Sequence, residues 1–245
     1  MERNDAEDAL LTIVIPVYNE ADNIRPAVEA IERDVKYPHR IVVIHDSEED
    51  TTVPVVREMM GSVPQLGLHR NKYGRGALNA IKTGLEDAET RYVIVTMADL
   101  CDPPGVINDM VEAAERDGAV IACGSRYMKG GRQTGGPVIK GCLSKIAGLT
   151  LCWFAGVPTH DATNSFKLYR TDFLRAEKIE SNGGFELGLE LVIKAYEKRK
   201  VIVEVPTSWE DRAAGESHFK LVAWLPHYLK WYFRGYKIAM QRLLQ

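Results

Sequence analysis

Two carboxylates three residues apart, Asp99 and Asp102, follow the apolar run Tyr92-Val93-Ile94-Val95, and the pair Pro103-Pro104 comes straight after them. The run reads as a buried parallel strand, and in open α/β sheets ligands collect at the carboxyl ends of strands. Hard carboxylate oxygens at that place suit Mg²⁺ or Mn²⁺ carrying a diphosphate. A plain structural reading fits the same residues: Pro103 opens a helix, Asp102 caps it, and Asp99 is a turn residue. The basic residues add a second signal. From Gly118 to His160 there is no Asp or Glu, but there are Arg126, Lys129, Arg132, Lys140 and Lys145. From Ser217 to Gln245 there is one carboxylate-free tract more, with Lys220, Lys230, Arg234, Lys237 and Arg242. Two such tracts in a chain of net charge −3 predict a basic face. The overall acidity argues against nucleic acid as a partner.

These groups need a frame. The runs Leu10–Ile15, Arg40–Ile44, Gln65–His69, Tyr92–Val95 and Ala119–Cys123 predict strands, and helical spacing over Ala21–Asp34, Val53–Met60, Gly74–Ala88 and Pro104–Asp117 predicts helices between them. Such alternation predicts an α/β fold with a mostly parallel central sheet flanked by helices and right-handed crossovers. Residues 124–136, rich in glycine and basic side chains, read as a mobile loop. Val138–Ala155 follows as an apolar helix, and Asp161–Tyr169 as a loop running into a strand. A helix after Gly183-Gly184-Phe185-Glu186 reaches Lys198, Val201–Val205 is a late strand, and a polar loop opens at Pro206. Gly74-Arg75-Gly76 with Gly84 fits neither GxGxxG nor the P-loop. A tight turn and close helix packing are expected there instead.

The 245 residues, 45% hydrophobic and 27% charged, suffice for one large α/β domain. Cys101, Cys123, Cys142 and Cys152 sit among apolar residues without zinc or CxxC spacing and read as buried free thiols. Met1 to Asp8 is acidic and polar, unlike a signal peptide. No uncharged apolar run approaches the roughly 20 residues of a membrane span.

Four segments stand in a telling order: Ile15-Pro16-Val17-Tyr18-Asn19-Glu20, His45-Asp46-Ser47-Glu48-Glu49-Asp50-Thr51-Thr52, Ala98-Asp99-Leu100 and Gly124-Ser125-Arg126-Tyr127. Together they resemble the family 2 glycosyltransferases of GT-A fold. Asn164-Ser165-Phe166, Gly184-Phe185-Glu186, Glu204-Val205-Pro206 and Arg212-Ala213-Ala214-Gly215-Glu216-Ser217 are similar to the dolichyl-phosphate mannosyltransferase and polyprenyl-phosphate glycosyltransferase branch. The resemblance runs from about Leu11 to Lys220. It implies a GT-A catalytic domain over 10–216, while the charged residues 1–9 read as a flexible tail and 217–245, by their composition, as a C-terminal amphipathic helix of aromatic and basic residues.

The resemblance also implies roles. Pro16, Tyr18, Glu20, Ile44, Asp46, Ala98, Asp99, Arg212 and His218 would bind the nucleotide-diphosphate sugar. Within that set Glu20 accepts from ribose hydroxyls and Asp46 from a base edge. Asp99, Arg126 and Arg212 are the catalytic candidates: Asp99 ligates a divalent Mg²⁺ or Mn²⁺, and the arginines clamp phosphate oxygens. Arg126, Lys140 and Ser144 would take the acceptor phosphate, the last two one helical turn apart. Asp161 either orients a sugar hydroxyl or caps its loop.

The chain departs from the family pattern in places. His45 and Met97 stand where acidic residues are usual, so one metal carboxylate is missing. Cys101 and Asp102 are the further metal candidates, although sulfur is a poor Mg²⁺ ligand. Mg²⁺ keeps several waters and needs one or two carboxylates, so Asp99 with the diphosphate suffices. His218 replaces a common Lys and makes that charge pH-dependent.

The implied activity is inverting transfer from a nucleotide-diphosphate sugar to a polyprenyl (dolichyl-type) phosphate. The expected location is peripheral, on the cytoplasmic face of a membrane, with room for a membrane-anchoring partner protein. Trp224, Tyr228, Trp231, Tyr232, Phe233 and Tyr236, mixed with Lys230, Arg234 and Lys237, suit the headgroup layer, or else pack inward as a core helix. Two rivals stay open: transfer to a soluble hydroxyl acceptor, and a non-catalytic nucleotide-sugar binding module with a degenerate metal site. A nucleotidyltransferase would need a Gly-rich, Lys-containing amino-terminal loop, and Pro16–Glu20 is not one.

Overall fold

The computed structural model of the chain describes residues 9–211 and 221–244, without the side chains of 221–223. The charged segment 1–8, together with Arg212, Ser217, His218 and Lys220, lies outside the described residues. In chain order the elements are β1 (Leu11–Pro16), α1 (Ala21–Asp34), β2 (His39–His45), α2 (Thr52–Met59), β3 (Leu66–Arg70), α3 (Ala77–Asp87), β4 (Tyr92–Val95), α4 (Val106–Asp117) and β5 (Ile121–Ser125). There follow β6 (Arg132–Thr134), α5 (Val138–Ala155), β7 (Lys167–Arg170), α6 (Thr171–Arg175), α7 (Leu187–Glu197), β8 (Ile202–Pro206), β9 (Ser208–Glu210) and α8 (Leu221–Leu243). They form two compact units, Met1–Leu100 with Leu168–Lys178, and Cys101–Lys167 with Ile179–Gln245.

In the first unit the strands lie in the order β3-β2-β1-β4-β7. β1 pairs in parallel with β2 and with β4, and β2 with β3. Because β1 carries buried side chains on both faces, it reads as a continuous apolar run rather than an alternation. β7 departs from the expected crossover pattern, pairing antiparallel with β4 through Ile94↔Leu168. A parallel neighbour needs a crossover back to the same end of the sheet; β7 enters at the other end, so the sheet is mostly parallel, not wholly so. Helix α1 buries Ile24, Ala27, Val28 and Ile31, the stripe its spacing demands. Gly84 explains how α3 lies on the sheet: a Cβ there would run into the Val14 side chain. Gly74 and Gly76, with φ of 85° and 124°, take the left-handed turn before α3 that L side chains resist.

In the second unit β5 pairs in parallel with β8, and β6 with β9. The stretch 124–136, expected as a mobile loop, thus contains a strand. Helix α4 starts at Val106, with Gly105 at the N-cap, so Asp102 is not the cap. Tandem prolines explain the delay. Pro104 pushes Pro103 toward extended backbone, and a turn forms first, with Val106 N–H on Pro103 O and Ile107 N–H on Pro104 O.

Helix α5 has the expected bounds and an unexpected setting. Only 17% of it is buried, and among the described residues it alone is long and apolar enough to cross a membrane by length and composition. Gly148, Leu151 and Ala155 are buried, while Ile139, Leu143, Ile146, Trp153 and Phe154 are exposed. The α8 aromatics mostly face inward. Trp231 is 1% exposed, Trp224 meets Phe185 edge-on, and Tyr232 OH bonds Thr150 Oγ1 of α5 at 2.9 Å. Phe233 is the exception, being exposed. Lys230 and Arg234 are paired with Glu180 and Glu197 respectively. For this part of α8 the core-helix reading prevails over the headgroup one, because Trp231 is buried and carboxylates distant in sequence neutralise Lys230 and Arg234.

Candidate active site

Of the residues expected to bind the donor, Pro16, Tyr18, Glu20, Ile44, Asp46, Ala98 and Asp99 lie in the first unit, at the carboxyl ends of β1, β2 and β4, while Arg212 and His218 lie outside the described residues. Pro16 ends β1 directly beside Ile44 of β2. The loop after it is held by Asp50, whose two oxygens accept the Asn19 N–H at 3.2 and 3.1 Å. Asn19 takes a left-handed φ of 57° there, a conformation Asn tolerates. Thr52 Oγ1 accepts the Glu20 N–H at 2.9 Å, and Glu20 Oε2 accepts from Asn23 Nδ2 at 2.6 Å. Tyr18 stands exposed beyond this brace.

Asp46 is already engaged by the protein. Its Oδ1 accepts from Asn71 Nδ2 at 2.7 Å and its Oδ2 from the Gly76 N–H at 2.9 Å, which ties it to the glycine turn. Ionised carboxylate oxygens keep further lone pairs for a ligand. His45, standing where an acidic residue was expected, is buried with Nδ1 2.8 Å from Ser47 O. At the end of β4, Ala98 is buried and Asp99 half-exposed. Leu100 follows with φ 54°, strained for a branched side chain that is neither Gly nor Asn. Nothing in the sequence announces that strain.

The acceptor residues lie in the second unit, and there the structure is most explicit. Arg126, just after β5, donates from Nε to Asp161 Oδ2 at 2.7 Å and from Nη2 to Asp161 Oδ1 at 2.9 Å. Its backbone N–H also reaches Asp161 Oδ2, at 3.1 Å. The Arg126 side chain is 10% exposed and that of Asp161 fully buried. Burial alone would lower the Arg126 pKa, but the Asp161 carboxylate outweighs it and holds the guanidinium above its usual range. Both Asp161 oxygens are thus engaged by Arg126, a partner the sequence did not point to.

Nη2 of Arg126 also donates to Ser144 Oγ at 2.9 Å. Around Ser144 gather Thr163 Oγ1 at 2.6 Å and Tyr127 OH at 3.1 Å. Arg126 lies over the Tyr127 ring at 4.8 Å. Lys140 sits one turn earlier on α5, half-buried. Gly148 lets the helix come this close, since a Cβ there would strike the His160 carbonyl oxygen. Thr163 and Tyr127 were not foreseen as members of this cluster, although Tyr127 adjoins Arg126 and Thr163 sits inside the Asp161–Phe166 segment.

Among the described residues no group of three or more His, Cys, Asp or Glu side chains could hold a metal ion by itself. The donor set still fits a hard divalent cation in one respect: the Asp99 carboxylate is a suitable oxygen ligand, and Mg²⁺ needs only one or two from protein. Cys101 is buried and soft.

Residues 12–176 match the family model described as glycosyl transferase family 2. The chain belongs to that family. This family 2 member is 32% identical over 216 residues to a dolichol-phosphate mannosyltransferase of Pyrococcus furiosus, a match that covers 86% of the chain and 59% of the relative. The chain thus spans under two thirds of that relative's length. It is 30% identical over 232 residues to a polyprenol monophosphomannose synthase of Mycolicibacterium smegmatis, covering 86% of the chain and 85% of the relative.

Solved structures agree on the fold. The mannosyltransferase PcManGT of Pyrobaculum calidifontis, in complex with GDP-Man and Mn²⁺, aligns with a TM-score of 0.62 at 17% identity, over 85% of this chain and 58% of that one. The glucosyl-3-phosphoglycerate synthase of Mycobacterium tuberculosis, in complex with UDP, aligns with a TM-score of 0.67 at 14% identity, over 94% and 82%. The family 2 chain has the GT-A fold.

Proposed function

We propose that this family 2 member transfers a sugar, with inversion, from a nucleotide-diphosphate sugar to the phosphate of a polyprenyl (dolichyl-type) lipid at a membrane surface. One observation carries the reading. Helix α5 carries a bare apolar face and also Ser144, whose hydroxyl meets the fixed Arg126 guanidinium and the Thr163 hydroxyl. Guanidinium and hydroxyl donors suit phosphate oxygens, and the exposed Ile146, Trp153 and Phe154 suit hydrocarbon. An acceptor with an anionic head and an apolar tail matches both. The names of the two sequence relatives support the same acceptor class. Because Ser144 and Gly148 tie one face of α5 to the protein, the helix lies along the lipid surface.

The chemistry needs few protein groups. A phosphate monoester is ionised near neutral pH, so no strong general base is required. Its oxygen forms a bond to the anomeric carbon while the carbon–oxygen bond to the diphosphate breaks, the electron pair leaving with the diphosphate oxygen. Arg126, Lys140 and Ser144 hold the attacking phosphate. Pro16, Tyr18, Glu20, Ile44, Asp46 and Ala98, with Arg212 and His218, hold the donor. Asp99 is the ligand for Mg²⁺ or Mn²⁺, which, when bound, neutralises charge on the departing diphosphate.

A transfer assay tests this. Radiolabelled GDP-mannose, UDP-glucose and UDP-N-acetylglucosamine are each supplied with polyprenyl phosphate and Mn²⁺. Label entering the organic phase is the expected result. Label transferred only to a soluble hydroxyl acceptor, or nucleotide-sugar binding with no turnover, would overturn the reading.

A further inference from the structure

The hydroxyls around Arg126 can be counted proton by proton. Ser144 Oγ has one proton and two lone pairs. One lone pair takes the Arg126 Nη2–H at 2.9 Å. Tyr127 OH has a single proton and lies 2.9 Å from the Gln133 side-chain oxygen, nearer than its 3.1 Å to Ser144. Thr163 Oγ1 stands 2.6 Å from Ser144 Oγ, so one of these two hydroxyls donates to the other. Thr163 has one alternative acceptor, Asp161 Oδ1, at a long 3.5 Å.

Two settings follow. In one, Ser144 donates to Thr163, whose own proton reaches toward Asp161. In the other, Thr163 donates to Ser144 and fills its second lone pair. Ser144 then holds two incoming hydrogen bonds, and its own proton is left either for the Tyr127 oxygen at 3.1 Å or for an incoming ligand that accepts more strongly. Hydrogen bonds in such a chain polarise one another. A phosphate accepts and does not donate when fully ionised, so its arrival selects the second setting.

We propose that Thr163 is a positioning residue that, by donating to Ser144, turns the Ser144 hydroxyl proton onto the acceptor phosphate. The inference rests on the acceptor reading above and deepens it. Thr163 is itself held in place. The neighbouring Asn164 donates from Nδ2 to Gly124 O at 3.0 Å, and its carbonyl oxygen accepts from the buried Lys167 Nζ.

The experiment uses the full chain and two probes. Farnesyl phosphate binding is measured by calorimetry, and the KM values for polyprenyl phosphate and for the nucleotide sugar are measured by transfer. Ser144→Ala and Thr163→Val should each weaken phosphate binding and raise the lipid KM by about tenfold, the scale of one lost hydrogen bond to a charged group. The KM for the nucleotide sugar should not follow. Thr163→Ser should restore binding, and the double variant should be no worse than Ser144→Ala alone. Thr163→Ala, checked by thermal melting, covers the case in which the Val variant folds poorly. If Ser144→Ala weakens binding and neither Thr163 variant does, the Thr163 inference falls and the acceptor reading stands. If losses add in the double variant, Thr163 does not act through Ser144, and the inference falls. If Ser144→Ala changes nothing, the acceptor reading itself fails and takes Thr163 with it.

Discussion

Arg126 and Asp161, 35 residues apart in sequence, meet through two parallel hydrogen bonds of 2.7 and 2.9 Å. Both side chains are withdrawn from water, so neither charge tolerates losing the other. Asp161→Asn keeps the shape and removes the charge. It should destabilise the protein by about 3–5 kcal/mol, read from urea denaturation. A change under about 1 kcal/mol would mean that water or another carboxylate takes over.

Asp99 is the hard oxygen at the end of β4. Asp99→Ala should abolish transfer at any Mn²⁺ concentration. Near-normal rates would show that the cation is held elsewhere. Lys140→Ala, by contrast, should act on the lipid: its KM should rise while the KM for the nucleotide sugar holds. A change in nucleotide-sugar affinity alone would remove Lys140 from the acceptor end.

The apolar face of α5 should be measurable as membrane affinity. Trp153 and Phe154 are 64% and 72% exposed, and each contributes about 1.5–3 kcal/mol when fully buried. Replacing both by Ser should lower binding to anionic vesicles by at least about a hundredfold in a sedimentation assay. Unchanged sedimentation would locate the lipid contact on another surface.

Cys123 predicts a response to alkaline pH. Burial pushes its thiol up from 9.0 to about 11. The folded protein then keeps a proton that the unfolded chain has already lost. The contribution is complete below pH 9 and fades as pH rises to about 11. Two pH units correspond to about 3 kcal/mol. Denaturant midpoints should fall across that window, and Cys123→Ala should flatten the slope. An equal slope in the variant would assign it to other groups.

Much of the frame was legible in the sequence. The bounds of α1 and α5 follow from apolar spacing, and Gly84 packs as its small size suggests. The strands β6 and β9 were hidden, since Arg132-Gln133-Thr134 and Ser208-Trp209-Glu210 carry no apolar alternation. Charge was the harder matter. The tract from Gly118 to His160 lacks carboxylates, yet Arg126 is neutralised by Asp161, the first residue beyond it, and Arg132 pairs with Glu210. A count along the chain cannot see partners brought in by folding. Asp161 left one trace, as a carboxylate closing a long run without any. The Ser144–Thr163 contact left none, because hydroxyl side chains are common and their pairing depends on how closely Gly148 lets α5 approach.

Trp231 lies buried, with Lys194, Lys230 and Arg234 at 5.4, 4.8 and 5.2 Å from its ring. An indole so enclosed emits at shorter wavelength than one in water, and its emission changes only when α8 leaves the body of the second unit. Trp153 stands in solvent on α5, and its emission shifts as soon as that helix meets hydrocarbon. With Trp209 and Trp224 replaced by Phe, the molecule would carry two optical reporters, one of unfolding and one of lipid contact, readable in a single cuvette without any added dye.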